Sequence, residues 1–161
     1  MRGLKIQPFI LLLLLLTLTG VGAENQPTVE KTFKAVLSGG EEVPPVKTNA
    51  KGEATLRLSP EGDKLTYTLF FSDVKDVTAA YIHMGKKGEN GPPVFGLFSE
   101  HRKPTVSGTL LAEGTIQAHE LIGPLKGKLL RSLVTLMEAG DAYINVHNKE
   151  HPDGEIRGQI E

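Results

Sequence analysis

The chain contains no cysteine and no tryptophan, and aromatic residues make up only 6% of it. Without thiols there is no disulfide, no thiolate metal site and no cysteine nucleophile, so stability has to come from burial. Positive charge is not in excess either: 18 Lys and Arg stand against 19 Asp and Glu, a formal net charge of −1. Such a balance lacks the basic footprint of a nucleic-acid binder. No glycine-rich phosphate loop occurs, because the glycines separate strand-like runs and do not open a helix. A Gly-x-Ser-x-Gly elbow is also missing, which argues against a serine hydrolase.

The one long apolar run lies at the N-terminus. Arg2 and Lys5 precede the stretch from Phe9 to Leu18, and Gly20-Val21-Gly22-Ala23 follows it. This order of basic, apolar and small residues is that of an export signal, with cleavage expected after Ala23. The run is shorter than the roughly 18 to 20 residues that span a bilayer, so membrane attachment is expected only if the leader stays in place. The expected location is periplasmic, secreted or cell-surface. Without residues 1–23 the formal charge becomes −3 and one domain's worth of chain remains. Residues 24–31 are polar, carry Pro27 and read as a disordered lead, so the β domain is expected over 32–161.

Period-two alternation dominates that domain. Phe33, Ala35 and Leu37 alternate with polar neighbours, then Ser38-Gly39-Gly40 and Val43-Pro44-Pro45-Val46 break the pattern. Ala54, Leu56 and Leu58, then Leu65, Tyr67, Leu69 and Phe71, mark a hairpin around Pro60-Glu61-Gly62-Asp63. Residues 77–84 form another strand, followed by a Gly- and Pro-rich loop and a short strand from Val94 to Phe98. Thr105 to Ala112 and Gly114 to Gln117 read as β segments on either side of a turn. One short helix is expected near 132–139, with Ser132 as N-cap and Gly140 at C′. The pattern between Leu121 and Leu130 is interrupted by Gly123, Pro124 and Gly127 and assigns no element. Many short strands with few helices predict an all-β fold, an antiparallel Greek-key-like sandwich or barrel.

The last strands carry the most information. Ala142, Ile144 and Val146 share one face, and Tyr143, Asn145 and His147 the other. After a polar turn, Ile156 and Ile160 oppose Glu155, Arg157 and Gln159. In residues 77–84, Tyr81 and His83 lie opposite Ala80 and Ile82. If the two strands are neighbours, His83 and His147 approach each other and His151 joins them from the turn. Three imidazoles on a rigid sheet suit copper or zinc, and no thiolate competes. On the structural reading the same histidines merely donate ring hydrogen bonds. His101 and His119 lie in loop-like or surface contexts. Glu155 and Arg157 share a strand face, and Arg157 is expected to pair bidentately with Glu42 or Glu41, a clasp that pins the Glu-Glu-Val-Pro-Pro stretch to the sheet.

Four blocks in order resemble the CHRD domain family, named after chordin. They are Leu37 to Val46, Gly52-Glu53-Ala54-Thr55-Leu56, Thr78 to Gly85 leading to Asn90-Gly91-Pro92, and Tyr143 to His147 with His151-Pro152-Asp153-Gly154-Glu155-Ile156-Arg157-Gly158-Gln159. The resemblance covers nearly all of 32–161 and implies an all-β domain of extracytoplasmic proteins. Where the family usually reads Ala-His-Ile-His, this chain has Tyr81 at the first histidine. The His-Ile-His pattern is also faintly similar to the metal-ligand strand of copper-zinc superoxide dismutases, whose sandwich, like the immunoglobulin one, is a candidate architecture. The functional expectation is an exported binding or structural module holding copper or zinc. A metal-free module with an unknown protein partner is the alternative. A metalloenzyme using Glu155 or Asp153 as proton acceptor is a third reading.

Overall fold

The computed structural model describes residues 30–98, 106–107 and 109–161, so the expected leader, nearly all of the polar lead and His101 lie outside the described residues. Strands form where the alternation is strongest. Strand β1 (Lys31–Ser38) buries Phe33, Ala35 and Leu37 and turns Lys34 and Val36 outward. Strands β2 (Lys51–Leu58) and β3 (Leu65–Ser72) form the expected hairpin, with Ala54 opposite Leu69 and Leu56 opposite Tyr67. After β4 (Val77–Met84) and β5 (Pro93–Phe98) come the two-residue β6 (Val106–Ser107) and β7 (Thr109–Ile116). Helix α1 (Leu130–Glu138) precedes the final hairpin, β8 (Ala142–Asn148) and β9 (Ile156–Gln159).

These nine strands of the described residues form one antiparallel sheet in the order β5-β4-β8-β9-β1-β2-β3-β7-β6. The C-terminal hairpin is thus inserted between β4 and β1, joining two parts of the chain that are distant in sequence. The sheet curls until β5 and β7 approach each other. Aromatic contacts close the interior there: Phe71 stacks on Phe98 at 5.8 Å and Tyr67 meets Phe95 edge-on at 6.2 Å. The Tyr67 hydroxyl donates to the Leu97 carbonyl at 2.6 Å, which satisfies its one polar atom inside an apolar space. The expected all-β sandwich or barrel is therefore the observed architecture.

Two local expectations are corrected. The turn expected between Ala112 and Gly114 does not exist, because β7 runs unbroken to Ile116. Gly114 lies opposite Tyr67, and a Cβ there would press on the Tyr67 ring, so this glycine makes room for an aromatic side chain. Helix α1 begins at Leu130, two residues before Ser132, with Leu129 at the N-cap. The buried stripe Leu130, Leu133, Val134 and Met137 sets its extent, and packing overrides the capping preference of Ser132. Gly140 follows the helix in the left-handed region, at φ 69°, as expected of C′. Residues 118–120 and 123–125 form single 3-10 turns.

The seam between β1 and β9 tolerates no side chain at Gly158, where a Cβ would overlap the Val36 carbonyl. Gly158→Ala is therefore expected to lower stability by about 1–3 kcal/mol through forced separation of the two strands. A urea unfolding midpoint equal to that of the unaltered protein would disprove this.

Candidate functional site

Strands β4 and β8 are direct neighbours, with Tyr81 opposite Asn145 and His83 opposite Tyr143. Across β8, Asn145 faces Arg157 and Tyr143 faces Gln159 on β9. Residues directly opposite in an antiparallel ladder share a face, so the polar faces of the three strands coincide. That face is not open to solvent: all seven residues of β8 are buried, on both sides of the sheet. Three segments roof it, residues 39–48, 85–92 and 149–155. Side chains of β8, of β9 and of the turn between them hold these segments in place. Glu155 accepts from Thr48 Oγ1 at 2.7 Å, Arg157 donates to the Lys86 carbonyl at 2.9 Å, and Asn145 Nδ2 donates to the Asp153 carbonyl at 3.2 Å. Asn90 ties two roof segments together by donating to the Val43 carbonyl at 2.7 Å.

Beneath this roof the His83 and His147 rings lie with centroids 5.8 Å apart. The Nδ1 of His83 is 2.9 Å from the Gly91 carbonyl, and the Nδ1 of His147 is 2.9 Å from the Pro152 carbonyl. A carbonyl oxygen only accepts, so each Nδ1 carries the proton and each Nε2 presents a bare lone pair. Both Nε2 atoms are buried and have no hydrogen-bond partner among the described residues. Tyr81 stands edge-on to both rings, at 6.0 and 5.6 Å, and Tyr143 stacks on His83 at 5.0 Å. Burial lowers the pKa of both imidazoles, against the opposing pull of their carbonyl partners, and the charge of Arg157 lowers His83 further. Both are neutral at neutral pH.

His151 does not complete the expected trio. Among the described residues no three His, Cys, Asp or Glu side chains gather as a metal-binding group. His151 is half-buried in the turn, where its backbone N–H donates to Asn148 Oδ1 at 2.6 Å. Strand parity ends at Asn148 and cannot direct a side chain beyond it. His119 is exposed in the 118–120 turn.

The expected clasp is also rearranged. Arg157 is 1% exposed, yet it forms no bidentate pair with Glu42 or Glu41. Its guanidinium lies 3.5 Å from the centre of the Tyr143 ring and donates to Asn90 Oδ1 and the Lys86 carbonyl. Arg157 thus pins the 85–92 loop and not the Glu-Glu-Val-Pro-Pro stretch. Glu41 pairs instead with Lys87, at 3.2 Å on the surface. Glu42 is buried over Asn145, whose Nδ2 is 3.5 Å from its Oε2, while Glu42 Oε1 and Asn145 Oδ1 have no partner among the described residues. Glu155 holds Thr48 and Asn148. All three clasp residues fasten the roof, through partners that strand alternation does not indicate. Asn145 was legible as a polar-face residue, whereas no strand alternation marks Asn90 or Thr48.

Burial pushes the Glu42 carboxyl up to about 7, although Arg157 and the Asn145 amide both pull it down. Its folded pKa thus exceeds its unfolded value, so the folded state binds more protons between the two. The contribution of Glu42 to stability is fully present below the unfolded pKa and is lost as pH rises through about 7. The imidazoles act in the opposite sense. Their folded pKa values are depressed, so their contribution is lost as pH falls below the ordinary histidine range.

A family model described as the CHRD domain matches residues 33–160, nearly the whole of the described chain. The comparison with curated proteins finds no match.

Glu42→Gln removes the buried ionisation, so the variant is expected to melt higher than the unaltered protein at pH 8 and close to it at pH 5. The difference at pH 8 should reach about 1–3 kcal/mol, read from melting curves at the two pH values. Arg157→Ala should cost about 2–4 kcal/mol, because Asn90 and the Lys86 carbonyl are left without a donor under the roof. Equal denaturant midpoints for that variant and the unaltered protein would sink the assignment.

Proposed function

The chain belongs to the CHRD domain family, and on that premise we propose that it is an exported binding module that holds one copper or zinc ion between His83 and His147. The observation that carries this reading is the pair of buried imidazoles 5.8 Å apart, each with Nδ1 tied to a backbone carbonyl and Nε2 left bare. Carbonyl bonding at one ring nitrogen is how proteins orient a histidine that ligates through the other. An ion about 2 Å from each nitrogen places two imidazole centroids roughly 5 to 6.5 Å apart, depending on the angle at the metal. The observed separation falls inside that range. A buried acceptor without a donor is costly in a finished fold, and an ion shared by both nitrogens removes that cost. Export is supported by the basic, apolar and small-residue order of residues 1–23.

A second reading, a metal-free module for a protein partner, draws on the same outer face of the sheet further round, beyond β9. Val36 is 77% and Phe70 40% exposed there, flanking Glu53 across β1, β2 and β3. Two such side chains form only a small apolar patch.

Calorimetric titration of the metal-free protein with copper, as Cu(I) and as Cu(II), and with zinc separates the two readings. One ion per chain is expected, with binding lost in His83→Ala and in His147→Ala and retained in His151→Ala. Absence of heat with both metals would defeat the metal reading.

A further inference from the structure

The surroundings of the two histidines restrict which ion can be held. We infer that the His83–His147 site is a two-coordinate site for a monovalent soft cation, Cu(I) in its biological form, and discriminates against Zn(II) and Cu(II). The inference rests on the metal reading above and adds oxidation state and selectivity to it.

Donor number is the first argument. Zn(II) in protein sites takes four ligands, and Cu(II) prefers a tetragonal set of nitrogen and oxygen donors. The described residues offer two imidazole nitrogens and no third His, Cys, Asp or Glu beside them. A closed-shell monovalent ion is satisfied by two donors in near-linear array, which is ordinary coordination chemistry for Cu(I) and Ag(I). Water cannot readily supply the missing ligands, because His83 and His147 are only 8% and 9% exposed. Tyr81 stands edge-on to both rings and Tyr143 stacks on His83, so aromatic side chains crowd the pair.

Charge is the second argument. The Arg157 guanidinium lies on the Tyr143 ring, which in turn stacks on His83, so a permanent positive charge stands two layers from the site. Its repulsion of a dication is twice that of a monocation at the same distance. The described residues gather no group of three His, Cys, Asp or Glu side chains, so the carboxylate whose charge reaches the pair, that of Asp153 on His147, stands outside the donor set. Polarizable aromatic walls suit a soft monocation better than a strongly hydrated dication.

The test is a set of competition titrations of the purified metal-free protein. Ag(I) serves as a redox-inert probe, Cu(I) is supplied under ascorbate against bicinchoninate, and Zn(II) is titrated against a chromogenic chelator. One Ag(I) and one Cu(I) per chain are expected, about 100-fold tighter than Zn(II), the order expected when a four-coordinate ion finds only two protein donors. X-ray absorption of the Cu(I)-loaded protein supplies a readout that needs no variant, and it should show two nitrogen scatterers and a two-coordinate edge. Three- or four-coordinate copper would overturn the inference. So would Zn(II) binding within a factor of about ten of Ag(I) and weakened by Glu42→Gln, since Glu42 Oε1 and Asn145 Oδ1 would then be acting as the missing ligands. In both cases metal binding itself survives. Failure of all three ions to bind would remove the underlying reading as well.

Discussion

Burial of β8 on both faces is the constraint on which the rest of the structure depends. Its apolar side, Ala142, Ile144 and Val146, belongs to the main core and is paid back by ordinary hydrophobic burial. Its other side carries Tyr143, Asn145 and His147, whose polar atoms must be met inside the protein once water is excluded. The three roof segments exist to meet them. Carbonyls of Gly91, Pro152 and Asp153 receive the imidazole and amide donors, and Glu155 receives Thr48 and Asn148. Irregular chain thereby acquires fixed positions from regular chain beneath it.

Electrostatic balance under the roof follows from how each charged group is solvated. Arg157 keeps its charge without a carboxylate partner because an aromatic face, an amide oxygen and a backbone carbonyl share the guanidinium. Glu42 has less: one long amide contact and an unpartnered oxygen leave desolvation as the larger effect. The imidazoles avoid the problem by staying neutral. Acidification therefore relieves Glu42 while it strains His83 and His147, and the roofed face has opposing demands on either side of neutrality. What remains unmatched is a small set of acceptors, and acceptors without donors are what a cation requires.

Legibility from sequence tracked periodicity. The hairpin of β2 and β3, the bounds of β4 and the two faces of the final hairpin all follow from alternation, because burying one side of a pleated strand imposes period two. The approach of His83 to His147 was readable for the same reason, given one further fact, that β4 and β8 are neighbours. Gly114 misled as a turn signal because its meaning lay in the Tyr67 ring on another strand. Ser132 misled as a cap because a stripe of buried leucines and Met137 outweighs one capping bond. His151 and the partner of Arg157 failed together, since both depend on turns and loops whose side-chain directions have no period.

Sequence alone determined the fold class, most of the strands and which of their residues share a face, since each of these is fixed by local alternation and by family-specific blocks within short stretches of chain. Tertiary structure decided that the polar face is roofed and dry, that Arg157 reaches Tyr143 and Asn90, and that two imidazoles and not three come together. Those outcomes depend on contacts between segments more than a hundred residues apart, such as Glu42 over Asn145, 103 residues, and Thr48 on Glu155, 107 residues. No local pattern encodes the distance between such segments, because it is set only when the sheet closes and the loops settle on it.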